Sequence, residues 1–182
     1  MSKLYKYFLL TYIIFLTTTI PLNGQSLSLP AEGYSNTFGA AISGGVFLDK
    51  DAVFWGFAVD YSKVFKENWI INISFGYDKE FSKKKDHDEV IVNTLTPSLA
   101  IGYALNRKIA IGIGLGKGLF DDDNDNKHFQ FNKNGGWTIG LIGVYSFYQK
   151  GPHSFDVSGG IERGLSTPET DLTLELGYGY SF

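Results

Sequence analysis

Cysteine is absent from the 182 residues, so the chain has no disulfide, thiolate metal site, cysteine nucleophile or lipobox cysteine for a lipid anchor. Charge of one sign is scarce as well. The 16 Lys and Arg against 19 Asp and Glu leave a formal −3, and no basic cluster is broad enough to hold nucleic acid. Long hydrophobic runs are missing after Ile20 although 43% of the residues are hydrophobic. Apolar residues are dispersed one at a time, which keeps the mean hydropathy near zero. The chain length suits one domain. Aromatics at 16% and 22 glycines favour strands and tight turns over helices.

The first residues read as a secretory signal peptide. Lys3 and Lys6 precede an apolar run over residues 8–20, which gives way to Pro21-Leu22-Asn23-Gly24. The run is shorter than the ~20 residues needed to cross a bilayer, and Thr17-Thr18-Thr19 would make a poor lipid-facing turn. Cleavage is expected after Gly24, leaving Gln25 first. Losing Lys3 and Lys6 takes the formal charge from −3 to −5. The expected organisation is a signal peptide over 1–24, a periplasmic lead or partial plug over 25–35, and one β domain over 36–182.

From residue 36 onward the chain alternates with period two, which sends successive side chains to opposite faces of a strand. Over residues 53–65 one parity holds Val53, Trp55, Phe57, Val59 and Tyr61, and the other Gly56, Ala58, Asp60 and Ser62. Over 69–81, Trp69, Ile71, Ile73, Phe75 and Tyr77 oppose Asn72, Ser74, Gly76, Asp78 and Glu80. The same split recurs over 37–48, 91–105, 109–120, 137–148, 154–162 and 171–182, giving eight stripes of about the 9–11 residues a tilted membrane strand requires. A soluble barrel would put its large residues inward. Here the face without them offers Gly, Ala, Ser, Thr and carboxylates, a poor dry core but a suitable hydrated interior for a membrane barrel. The fold expected is an all-β, closed, antiparallel up-and-down transmembrane β-barrel of about eight strands.

Connection lengths orient it. The long ones cover 80–89, 121–136 and 164–170, the short ones 66–68, 106–108 and 149–153, and only the brief 49–52 breaks the alternation. Outer-membrane barrels have short periplasmic turns and longer outer loops, so both chain ends are expected in the periplasm. Trp55, Tyr77 and Trp137 then lie near the outer interface, and Tyr61, Trp69, Tyr103, Tyr145, Tyr178 and Tyr180 near the inner one, as two aromatic girdles.

The expected interior is lopsided. Phe54, Ile70, Ile142, Val144 and Tyr148 point inward from the second, third and sixth strands, whereas the fifth offers only Ala110, Gly112, Gly114, Gly116 and Gly118. The space beside that wall would take water, a small ligand or residues 26–35. Inward Asp60, Asp78, Asp156, Glu162 and Glu175 have few inward Lys or Arg to meet, which calls for hydration, cations or protonated acids.

Candidate chemistry is sparse. His87 and His128 fall in outer loops. His153 and Ser154, adjacent in a strand, face opposite ways on the periplasmic side, which disfavours a catalytic pair. Asp121, Asp123 and Asp125 match the first three ligand positions of a calcium loop, but the sixth and twelfth are Asn126 and Asn132, so the glycine and the bidentate carboxylate are missing. A solvated acidic loop is the preferred interpretation there. Lys83-Lys84-Lys85 could pair with lipopolysaccharide phosphates or simply form a solvated loop tip.

The chain ends Leu174-x-Leu176-x-Tyr178-x-Tyr180-x-Phe182. In this it resembles bacterial outer-membrane barrel proteins, and over nearly all of residues 36–182 its pattern looks most like the small class of the OmpA transmembrane domain, OmpX and OmpW. The resemblance implies an outer-membrane location and recognition of the last strand by the barrel assembly machinery. Outer-membrane lipids and lipopolysaccharide are the expected surroundings, with no cofactor and a monomeric state. The function expected is non-enzymatic, structural or surface-interacting through the outer loops. A narrow channel or carrier for a small solute is the alternative, and a lipid-modifying enzyme comes after it.

Overall fold

The structure, a computed structural model, describes residues 27–49, 51–66, 68–83, 89–123, 130–131, 136–165 and 169–182. Eight long strands form: β1 Asn36–Phe47, β2 Ala52–Phe65, β3 Trp69–Lys83, β4 Glu89–Asn106, β5 Ile109–Lys117, β6 Trp137–Lys150, β7 His153–Gly164 and β8 Thr170–Ser181. Each pairs antiparallel with its neighbour in sequence, and β1 pairs with β8 from Thr37↔Ser181 to Phe47↔Asp171. The ring is therefore closed, and no barrel strand is left with an unpaired edge. No helix forms among the described residues.

Side-chain period decides the facing. Along β2 burial alternates strictly from Ala52 to Asp60, with Phe54, Ala58 and Asp60 inside and Trp55, Phe57 and Val59 each about half exposed. Outward Phe38, Ile42, Leu141 and Leu176 are exposed by 60%, 65%, 59% and 53%. A continuous belt of this kind has no stable place in water, where contiguous apolar patches stay within a few hundred Å². It suits a surface solvated by lipid tails.

Phe182 closes the last strand onto the first, its N–H donating to the Asn36 carbonyl at 3.0 Å, so the end of the chain lies beside the start of β1. The turns at 107–108 and 151–152, with Lys66 and Asn68, share that end of the barrel, and the strand ends Phe47, Lys83 and Gly164 lie at the other. Gly151 takes φ +57 in one of those turns, a backbone setting with little penalty only for glycine.

Two local departures from simple alternation appear. Tyr148, expected inside, lies outside: Ser146 pairs with Asp156 and Tyr148 with Phe155, so Phe147 is an extra, bulged residue that inverts the parity beyond it. Tyr148 is 44% exposed, with its ring edge-on to Phe155 at 5.8 Å. The fifth strand, expected to run unbroken to residue 120, stops at Lys117. Gly118 and Leu119 interrupt it, and a short strand Phe120–Asp123 resumes pairing with β4 from Leu95↔Phe120 to Val92↔Asp123.

Candidate functional site

The barrel interior holds a segment of its own chain. Leu27, Leu29 and Ala31 are 2–3% exposed, and the two leucines pack in one apolar cluster with Ile70, Ala100, Ala110, Ile142 and Val144. Leucine at 27 can enter because the adjoining wall lacks side chains. A Cβ on Gly102 would stand 2.9 Å from the Leu27 Cδ2, and one on Gly112 3.3 Å from it. The glycine wall and the Leu27-Ser28-Leu29 stretch are thus complementary in shape.

Polar groups fix the segment's depth. Ser28 Oγ donates to Asp60 Oδ1 at 3.0 Å, and the Ala31 N–H donates to Ser181 Oγ at 2.8 Å. Asp60 also accepts from Asn72 Nδ2 at 2.8 Å, and the same nitrogen lies 2.9 Å from Ser62 Oγ. Gly39 makes room for this network, since a Cβ there would fall 2.2 Å from Asp60 Oδ1 and 2.3 Å from Ser28 Oγ. Gly33, at φ +84, lies where the chain passes from the plug toward β1. At the rim, Glu32 Oε1 meets Arg107 Nη1 at 2.5 Å, but both side chains are more than half exposed. Such a pair contributes at most about 1 kcal/mol.

The half of the lumen away from Phe182 is acidic. Asp78, Glu162, Asp171 and Glu175 are all at most 3% exposed, and no lysine or arginine is among the buried residues described. Gly56 yields space to Asp78, whose Oδ1 would lie 2.1 Å from an added Cβ.

The outward surface carries two aromatic rims. At the end with the long connections, Lys117 Nζ lies over the Trp137 ring at 5.2 Å and Lys79 Nζ over Phe81 at 5.5 Å. Amphipathic chains of this kind keep the charge at the water side of an apolar belt. At the other end Trp69 packs edge-on to Tyr103 at 5.3 Å, Phe38 stacks on Phe182 at 5.5 Å, and Tyr61 Oη donates to Asn36 Oδ1 at 2.8 Å. Between the rims, outward Gly143 and Gly159 open an apolar groove of about 770 Å³ flanked by Ile111, Ile113, Leu141 and Ile161. It faces the medium that solvates the belt.

The residues singled out for chemistry do not converge. His153 is exposed and its Nδ1 lies 2.7 Å from Tyr178 Oη, whereas Ser154 is buried and its Oγ lies 3.4 Å from Asp156 Oδ2. The backbones of Asp121 and Asp123 are extended and paired with Thr94 and Val92. Asp125 lies outside the described residues, as do His87, His128, Lys84 and Lys85. Among the described residues, no three acids or histidines come close enough to hold a metal ion.

Comparison with known proteins gives the same architecture. No family model matches the chain, and no curated sequence does. Among solved structures, neisserial surface protein A superposes with a TM-score of 0.57 at 10% identity, covering 84% of this chain and 99% of that one. The outer membrane protein OprG from Pseudomonas aeruginosa gives 0.52 at 10%, covering 82% and 96%. The Yersinia pestis outer membrane protein Ail in a phospholipid bilayer nanodisc gives 0.51 at 16%, covering 82% and 99%. The chain has the fold of the small eight-stranded outer-membrane β-barrels.

Proposed function

We propose that this chain is a plugged barrel of the bacterial outer membrane that acts without catalysis, as a structural or surface-interacting protein through its outer loops. The observation that carries this is the pairing of an outward lipid-compatible belt with an interior closed by residues 27–31. Eight strands leave an interior only wide enough for side chains or one small ligand, and here part of that width is taken by the chain itself. An open diffusion path is therefore disfavoured. The outward row Leu176, Tyr178, Tyr180 and Phe182 supports recognition of the last strand by the assembly machinery, and Lys79, Lys117 and Arg163 at the opposite rim support contact with lipopolysaccharide phosphates. The separation of His153 from Ser154 speaks against lipid modification.

The test compares a deletion strain with its parent for surface adhesion, envelope leakiness and lipid A composition, alongside bilayer conductance of the purified protein. Loss of adhesion or envelope integrity with unchanged lipid A and no conductance supports the proposal. Steady channel currents or altered lipid A would overturn it.

A further inference from the structure

Three of the buried oxygens without a hydrogen-bond partner belong to neighbouring inward residues along the β1–β8 seam. Glu175 is 2% exposed; its Oε2 accepts from Ser158 Oγ at 2.8 Å, while its Oε1 has no partner. Ser43 stands directly across from Glu175 in the β1–β8 register, 9% exposed, and its Oγ also lacks a partner. Thr173, two residues along the same inward face of β8 and 1% exposed, adds a third orphan oxygen at Oγ1. Buried polar atoms are almost always paired, so three in one patch require an explanation.

The surroundings define what would pair with them. Asp78, Glu162 and Asp171 line the same half of the lumen, and their field attracts cations. The wall beside the seam is thin in side chains: Gly160 stands opposite Thr173 in the β7–β8 register, and further round the barrel Gly114 pairs with Gly140. On the turn side Leu27 and Leu29 fill the lumen, and at the loop end Phe47, Ala52 and Phe54 pack as a second buried apolar cluster, with the Phe47 and Phe54 rings 5.5 Å apart. One carboxylate with two neutral hydroxyls is too weak a donor set for a chelated divalent metal, in line with the lack of any three-acid cluster among the described residues. Hard oxygen donors with at most one negative charge among them suit a hard ion of charge +1.

We propose that Glu175, Ser43 and Thr173 form a binding site for an alkali-metal cation inside the barrel, between the Leu27–Leu29 cluster and the Phe47–Phe54 cluster. The bound ion supplies positive charge in a region where no lysine or arginine is among the buried residues described.

The experiment follows the heat-unfolding midpoint of the full-length mature barrel, folded in micelles, in sodium, potassium and tetraethylammonium chlorides at one ionic strength. The expected result is a saturable rise with sodium or potassium and none with tetraethylammonium, since a ligand bound only by the folded state stabilises by mass action. Glu175→Gln keeps the acceptor for Ser158 and should abolish the rise. Ser43→Ala, which changes no charge, should move its saturation to higher concentration. Equal midpoints in all three salts, or an undiminished rise in the variants that fold, would overturn the proposal.

Discussion

Replacing Leu27 with serine should loosen the plug without unfolding the barrel. Leu27 and Leu29 are 2% and 3% exposed, and burying a leucine side chain is worth about 1.5–3 kcal/mol. The two together supply roughly 4 kcal/mol of docking, while the Ser28–Asp60 and Ala31–Ser181 hydrogen bonds roughly offset the ordering of the segment. That balance leaves an undocked fraction of about 0.1%, and removing some 2 kcal/mol raises it roughly thirtyfold. The absence of natural cysteine makes the assay clean, since Ala31→Cys is then the single thiol, at a position 2% exposed. Its labelling rate by a hydrophilic maleimide on the folded protein reports the undocked population. Leu27→Ser should raise that rate about thirtyfold with little change in the unfolding midpoint, by the same arithmetic. Gly102→Ala should act in the same direction, because the added methyl meets the Leu27 Cδ2 at 2.9 Å. An unchanged rate in both variants would refute the claim that residues 27–31 are held by this packing.

Three further outcomes follow from the facing of the strands. Leu176→Lys places a charge on the lipid side, at a cost of about 2–4 kcal/mol near the bilayer midplane, whereas Gly177→Lys turns inward toward Asp156, its β7 register partner; folded yield in lipid vesicles should fall only for the first. Gly39→Ala should lower the unfolding midpoint far more than Gly44→Ala, because the first Cβ strikes Asp60 and Ser28 while the second has nothing nearer than 3.8 Å. Deleting Phe182, which stacks on Phe38 and donates from its backbone to Asn36, should reduce assembled protein in whole-cell membrane fractions.

Strand order and facing were legible because period two is a physical signature: in a barrel with lipid outside and carboxylates inside, each one-residue step changes solvent. Trp55, Phe57 and Val59 against Gly56, Ala58 and Asp60 needed no further information. The bulge at Phe147 was not legible, since no glycine or proline marks it and three large residues follow one another from Phe147 to Gln149. Its position depends on pairing with β7, a contact between segments. The interruption after Lys117 had a signal in Gly118, masked by the glycine repeat before it. The interior was legible in halves. Gly102 and Gly112 announced a vacant wall, and Leu27-Ser28-Leu29 alternates like a strand, yet only the closed ring shows that the leucines meet that wall. The oxygens of Ser43 and Thr173 carried no signal at all, because serine and threonine line the whole lumen and their lack of partners is a property of the assembled barrel.

The central claim is that the apolar belt faces lipid in a folded, closed barrel. Fractionation of cells, followed by gel electrophoresis of the outer membrane with and without boiling, tests it most directly. The account predicts the mature chain in the outer-membrane fraction, with a mobility that changes on boiling as the closed ring opens. Recovery as a soluble periplasmic protein of heat-independent mobility would contradict it.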